Sequence, residues 1–144
     1  MSDESAKKGM EVRTKLWGEK AAQDGDAFLR NFDEGFATFL NEQLFGTIWN
    51  RPGLPVKLRS LITMTALMAL GRGPELRLHM RGALNLGIPP EEIKELIVHV
   101  SQYSGVPTAI CSTMRWNSPA VGLGADSETL RTASMTGSLP ASSK

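Results

Sequence analysis

The sequence predicts an all-α protein, a single-domain bundle of about six helices, and three observations carry that expectation. Apolar residues recur three or four apart through helix-length stretches. No segment alternates apolar and polar residues with a period of two, and no Asn-Gly or Asp-Gly pair joins two β-branched runs, the mark of a tight hairpin. The chain has 144 residues, 41% of them hydrophobic, which is enough for one ordinary core and leaves no room for a second domain.

The N-terminal stretch 1–10 is polar and reads as a flexible end ahead of a helical domain over 11–120. The first helix is expected from Val12 to about Gln23, stopped by Asp24-Gly25. Asp26 then caps a longer helix carrying Phe28, Phe32, Phe36, Phe39 and Leu40 three or four apart. That helix ends near Asn50, because Arg51-Pro52-Gly53-Leu54-Pro55 sets extended or turn geometry. Pro55 suits the opening turn of a third helix, Val56 to Leu70, whose SLITMTALMAL is apolar nearly all round and marks it as the enclosed central helix. A fourth helix runs from about Pro74 to Leu86 and is closed by Gly87. Pro89-Pro90-Glu91-Glu92 opens a fifth, to about Ser104, with proline and acid in its first turn. Gly105-Val106-Pro107 breaks the chain before a last helix, Thr108 to about Trp116. The segment 121–144 is rich in Ser, Thr, Gly and Ala with little to bury, and reads as a flexible tail.

Several functions are disfavoured by composition. Lys plus Arg total 16 against 15 for Asp plus Glu, so there is neither a basic stripe for nucleic acid nor a patch for a membrane surface, and a small-molecule partner is favoured. The N-terminus lacks the apolar run of a secretory signal, and the longest uncharged apolar stretch, Ser60 to Leu70, is too short to span a bilayer; a cytoplasmic location is expected. Cys111 stands alone, which excludes an intramolecular disulfide and any CxxC mechanism. Two histidines twenty residues apart without converging carboxylates make no credible metal site. GxGxxG, Walker and GxSxG sequences are absent.

His79 is the first candidate for chemistry. At 100° per residue, Leu76, Met80, Ala83 and Leu84 form the buried stripe of the fourth helix and Arg77, Arg81 and Asn85 a solvated row across from it. His79 lies at the stripe's edge, and Glu75, one turn earlier, falls on nearly the same side. A carboxylate there could hold one ring nitrogen and leave the other facing a cavity, an arrangement suited to proton transfer. The structural alternative is a half-buried histidine satisfied by its neighbour. His99, with Glu95 one turn before it, reads as a surface ion pair. Arg59 precedes the apolar run and flanks its buried side, Arg51 and Lys57 bracket the proline loop beside it, and these cations could pair with an anionic substrate. Tyr103 precedes a chain break, where its hydroxyl could reach a pocket or a backbone carbonyl. Trp17, Trp49, Trp116 and the methionines read from the residues alone as core and subunit packing.

The motifs WNRPGL (Trp49 to Leu54), LRSLITMTAL (Leu58 to Leu67), ELRLHMRGALNLG (Glu75 to Gly87), PPEEIKELI (Pro89 to Ile97) and QYSGVP (Gln102 to Pro107) follow one another in a family-like order. Together, over about Trp17 to Pro119, they resemble the carboxymuconolactone decarboxylase family. The resemblance implies a helical fold shared with the alkylhydroperoxidase D proteins and a homo-oligomer, a trimer or hexamer. The peroxidase branch carries a CxxC just before its histidine; here those positions are Arg72 and Glu75, so the decarboxylase branch remains. The implied reaction turns 4-carboxymuconolactone into the β-ketoadipate enol-lactone, in protocatechuate catabolism, without metal or coenzyme. In that substrate the departing carboxylate sits on a ring carbon conjugated through one double bond to the lactone carbonyl, so the electrons left behind spread onto oxygen as a dienolate. On this reading His79 is the proton donor or oxyanion partner, Glu75 its orienter and Arg59 a carboxylate anchor, with Arg51, Trp49 and Tyr103 binding substrate. Two positions depart from the family pattern: Phe45 stands where a tryptophan is typical, and Thr47 where an acid is. Those departures leave room for a related cofactor-free decarboxylase or isomerase acting on another cyclic carboxylate. More remote readings are a peroxidase-family protein without redox cysteines and a non-catalytic helical assembly.

Overall fold

A computed structural model describes residues 3–117; the expected tail over 121–144 lies outside them. Seven α-helices and one π-helical segment follow in order: α1 (Asp3–Trp17), α2 (Glu19–Phe32), α3 (Glu34–Phe39), π1 (Leu40–Ile48), α4 (Val56–Ala69), α5 (Gly73–Asn85), α6 (Pro90–Ser104) and α7 (Val106–Trp116). The described residues contain no strand, as the all-α reading requires. From α4 onward the helix ends fall where the prolines and glycines place them.

The N-terminal third differs from the sequence reading. The first helix begins at Asp3 rather than Val12, so most of the stretch 1–10 is helical. It stops at Gly18, whose φ of 83° suits glycine and few other residues. Asp24-Gly25-Asp26 runs on unbroken inside α2. Asp26 is therefore no helix cap: Arg13 Nη1 donates to its carboxylate at 3.2 Å, and Asn41 and Arg30 donate to it as well. Burial alone would raise the Asp26 pKa, but the hydrogen bonds from Arg30 and Asn41 and the charges of Arg30 and Arg13 outweigh it and hold the carboxyl below its ordinary range. The long second helix is instead divided at Asp33, whose carboxylate caps α3 by accepting from the Phe36 amide at 2.6 Å.

Two glycines bring α1 and π1 into backbone contact. A Cβ built at Gly9 would land on the Asn41 carbonyl oxygen, and one at Gly46 on that of Ser5. Arg13, almost wholly buried, ties the same crossing together by donating to Asn41 Oδ1 at 2.6 Å. The widened turns of π1 free backbone carbonyls that side chains then satisfy: Thr47 Oγ1 donates to the Glu42 carbonyl at 2.8 Å and Asn50 Nδ2 to that of Phe45 at 2.8 Å.

Two apolar clusters result. Met64, Met68, Leu76, Met80, Ile93, Ile97, Val100 and Trp116 join α4, α5, α6 and α7. Val12, Leu16, Phe45 and Trp49 join α1 to π1, with Trp17, Val56 and Leu86 packed against them. Helix α5 serves both, facing the first cluster with Leu76 and Met80 while Asn85 Nδ2 donates to the Leu16 carbonyl at 2.7 Å. Asn85 is thus a tie between helices and not simply part of a solvated row. Helix α4 is not enclosed: Ser60, Met64 and Met68 are buried, whereas Ile62 and Leu70 are 56% and 69% exposed. The other described residues do not cover that side. The stripe of Phe28, Phe32, Phe36 and Phe39 is exposed in the same way.

Candidate active site

His79 sits where the two clusters meet, on the side of α5 turned toward α1 and π1. Trp17, at the end of α1, meets its ring edge-on with centroids 5.7 Å apart. Trp49, just past π1, lies nearly parallel to it at 6.0 Å and 25°. Phe45 closes the nest behind them, 5.5 Å from Trp17 and 5.8 Å from Trp49. Gly82, one turn along α5, lets Leu16 and Trp17 approach; a Cβ there would stand 3.3 Å from the indole nitrogen.

This nest is walled by aromatic rings and short of hydrogen-bond partners. His79 Nδ1 is buried without a hydrogen-bond partner, as is Trp17 Nε1. Glu42 Oε2 on π1 and Ser60 Oγ on α4 are further buried polar atoms in the same condition. Each such group carries a desolvation cost of about 1–3 kcal/mol that folding alone does not recover. Burial pushes the imidazole down from 6.5 to about 4, while the negative charge of Glu75 pulls weakly the other way. The ring is therefore neutral at neutral pH.

Of the expected site residues, Trp49 is beside His79. Glu75 is exposed and acts on the ring through its charge alone, with no hydrogen bond to Nδ1. Arg59 is already engaged: its Nε donates to the Leu54 carbonyl at 3.1 Å and its Nη2 to that of Arg51 at 2.9 Å. It braces the proline loop that carries Arg51, whose own side chain is exposed. Tyr103 lies on α6, 81% exposed, with its ring 5.2 Å from that of His99 and not in the nest. Cavities of about 210, 550 and 390 Å³ lie elsewhere among the described residues, and His79 lines none of these.

Sequence reasoning took Trp17 for packing and singled out neither Glu42 nor Arg13. Trp17 lies sixty-two positions before His79 and carries no local signal that the two rings meet. The departures at 45 and 47 resolve differently. Phe45 keeps an aromatic wall in the nest, whereas Thr47 is exposed and spends its hydroxyl on the Glu42 carbonyl.

The chain is similar to known proteins over most of its length. The sequence profile of the carboxymuconolactone decarboxylase family matches residues 34–116, which contain α3 through α7 and every expected site residue. The chain is 44% identical over 110 residues to the 4-carboxymuconolactone decarboxylase of Acinetobacter baylyi, covering 76% of this chain and 82% of that protein. It is 37% identical over 106 residues to the nitrosuccinic acid decarboxylase of Metarhizium robertsii, covering 71% of each. The chain is thus related over most of its length to two decarboxylases, and it belongs to the carboxymuconolactone decarboxylase family.

Proposed function

We propose that this enzyme decarboxylates 4-carboxymuconolactone to the β-ketoadipate enol-lactone, a step of aromatic catabolism, with His79 as the group that meets the developing oxyanion. The observation that carries the reading is the half-buried imidazole of His79, its Nδ1 buried without a partner, in a chain 44% identical to a decarboxylase of that lactone. When the C–C bond to the leaving carboxylate breaks, its electron pair moves through the ring double bond onto the lactone carbonyl oxygen. A proton must then reach the carbon next to the carbonyl. The substrate supplies its own electron sink, so the protein has to orient the carboxylate, hold the oxyanion and deliver that proton.

The depressed pKa of His79 defines how it can do so. In the free protein the ring is neutral and poised to donate one N–H. A substrate bearing two carboxylates favours the charged form of any imidazole beside it, so binding draws a proton from solvent onto His79. That proton is available for the dienolate carbon after carbon dioxide leaves. Trp17 and Trp49 flank the ring and shield it in part from solvent, which strengthens each of these interactions. Arg51, held on a loop braced by Arg59, is the proposed carboxylate anchor, and Glu75 tunes His79 from a distance.

The exposed apolar side chains along α2, α3 and α4 support assembly as a homo-oligomer, since such faces are often covered by a partner. No helix of the described residues is long and apolar enough to cross a membrane, and a cytoplasmic location is proposed. Purified protein supplied with 4-carboxymuconolactone should release one carbon dioxide per lactone consumed. Inertness of a well-folded oligomer toward that lactone would refute the assignment.

A further inference from the structure

We propose that the cavity between α4, α5 and α7 is a second binding site, for a small apolar molecule bearing one carboxylate, with Arg115 as its anion-binding group. The cavity measures about 210 Å³, room for one six-membered ring with a carboxylate. Met68, Leu76 and Ser112 are its buried floor; Gly71, Pro107 and Cys111 are its exposed rim. Its polar content is small and directional. The Ser112 and Thr108 hydroxyls donate to the carbonyls of Thr108 and Ser104, at 2.8 and 3.0 Å, which leaves the guanidinium of Arg115 as the charged group at the cavity.

Arg115 is seated with care. A Cβ at Gly73 would overlap its guanidinium, so the planar group lies directly on the first turn of α5. Its Nη1 donates to the Cys111 carbonyl at 2.7 Å. Its Nε is buried with no partner, and among the described residues no carboxylate pairs with it. A cation is thus held against the positive end of a helix, where the helix dipole opposes it and an anion would be stabilised by both. The remaining walls, Leu67, Met68, Leu76 and Pro107, suit an apolar body. None of these residues belongs to the nest around His79, so occupancy here does not depend on the decarboxylase reading.

Cys111 on the rim provides the readout. Alkylation of the full-length protein by iodoacetamide, followed by intact mass, is measured with benzoate as the probe. Bound benzoate should slow alkylation saturably, by about fivefold at a concentration four times its dissociation constant. Benzamide, with the same shape and no charge, and inorganic phosphate, with charge and no ring, should leave the rate unchanged. Arg115→Met should abolish the protection, and Leu67→Trp, which fills the cavity and keeps the guanidinium, should do the same, with matched circular dichroism spectra for each. His79→Ala should retain it. An unchanged rate at saturating millimolar benzoate, equal slowing by benzamide or phosphate, or protection surviving both cavity variants would overturn the proposal.

Discussion

The imidazole of His79 gives the fold a pH dependence that can be measured without substrate. Its pKa is about 4 in the folded chain and 6.5 when unfolded. Between those values the unfolded state binds a proton that the folded state refuses, so stability rises with pH across the window and falls as acid is added. Below about pH 4 both states are protonated and the loss is complete; above 6.5 neither is, and the contribution is flat. At 1.36 kcal/mol per unit, a shift of this size amounts to about 3 kcal/mol as an upper bound, because the ring is only partly shielded from solvent. His79→Gln removes the titration while keeping similar bulk. Urea unfolding of both proteins from pH 7 to pH 4, at one fixed protein concentration, gives the difference curve in which all shared carboxylates cancel. Wild type should lose about 2–3 kcal/mol relative to the variant on going down that range. Parallel curves, with a constant difference, would refute the claim that the ring is buried neutral.

Three other perturbations test the scaffold around it. Gly9→Ala and Gly46→Ala each place a methyl on an opposing carbonyl oxygen, so α1 must lift from π1; each should cost about 1–3 kcal/mol by thermal melting, while Gly53→Ala, whose Cβ meets nothing, should be nearly neutral. Arg59→Ala removes two hydrogen bonds to the 51–55 loop and should raise KM more than it lowers kcat, with a loss of about 1–3 kcal/mol in stability. Asp33→Ala deletes the cap of α3 and should cost about 1 kcal/mol by chemical denaturation, with turnover intact.

The C-terminal two-thirds of the fold was legible because proline and glycine punctuate it: Pro55, Gly87, Pro89-Pro90 and Gly105 stand at or beside observed helix ends. The N-terminal third was not, and the reason is tertiary. Asp24-Gly25-Asp26 has the local character of a break, yet Asp26 answers the buried charge of Arg13, and Gly25 leaves room for its guanidinium, 3.2 Å from where a Cβ would stand. A contact between residues 13 and 26 leaves no trace in helical periodicity. The candidate site divides in the same way. His79 could be found from its place on the helical wheel and Trp49 from its motif, but their meeting with Trp17 and Phe45 depends on how α1 crosses π1. Arg59 was selected by residue type, and its two carbonyl acceptors lie in a loop whose path the sequence does not specify. The apolar run of α4 reads from the sequence as enclosed, but among the described residues its Ile62 and Leu70 side is left uncovered.

The most direct test is single-turnover decarboxylation of 4-carboxymuconolactone by wild type, His79→Gln and His79→Ala at pH 7, with circular dichroism and sedimentation confirming that all three share fold and assembly. If the buried imidazole carries the proton and meets the oxyanion, both variants should be slowed by about 10²–10⁴-fold in the chemical step. Turnover within a few-fold of wild type in a correctly assembled variant would contradict it.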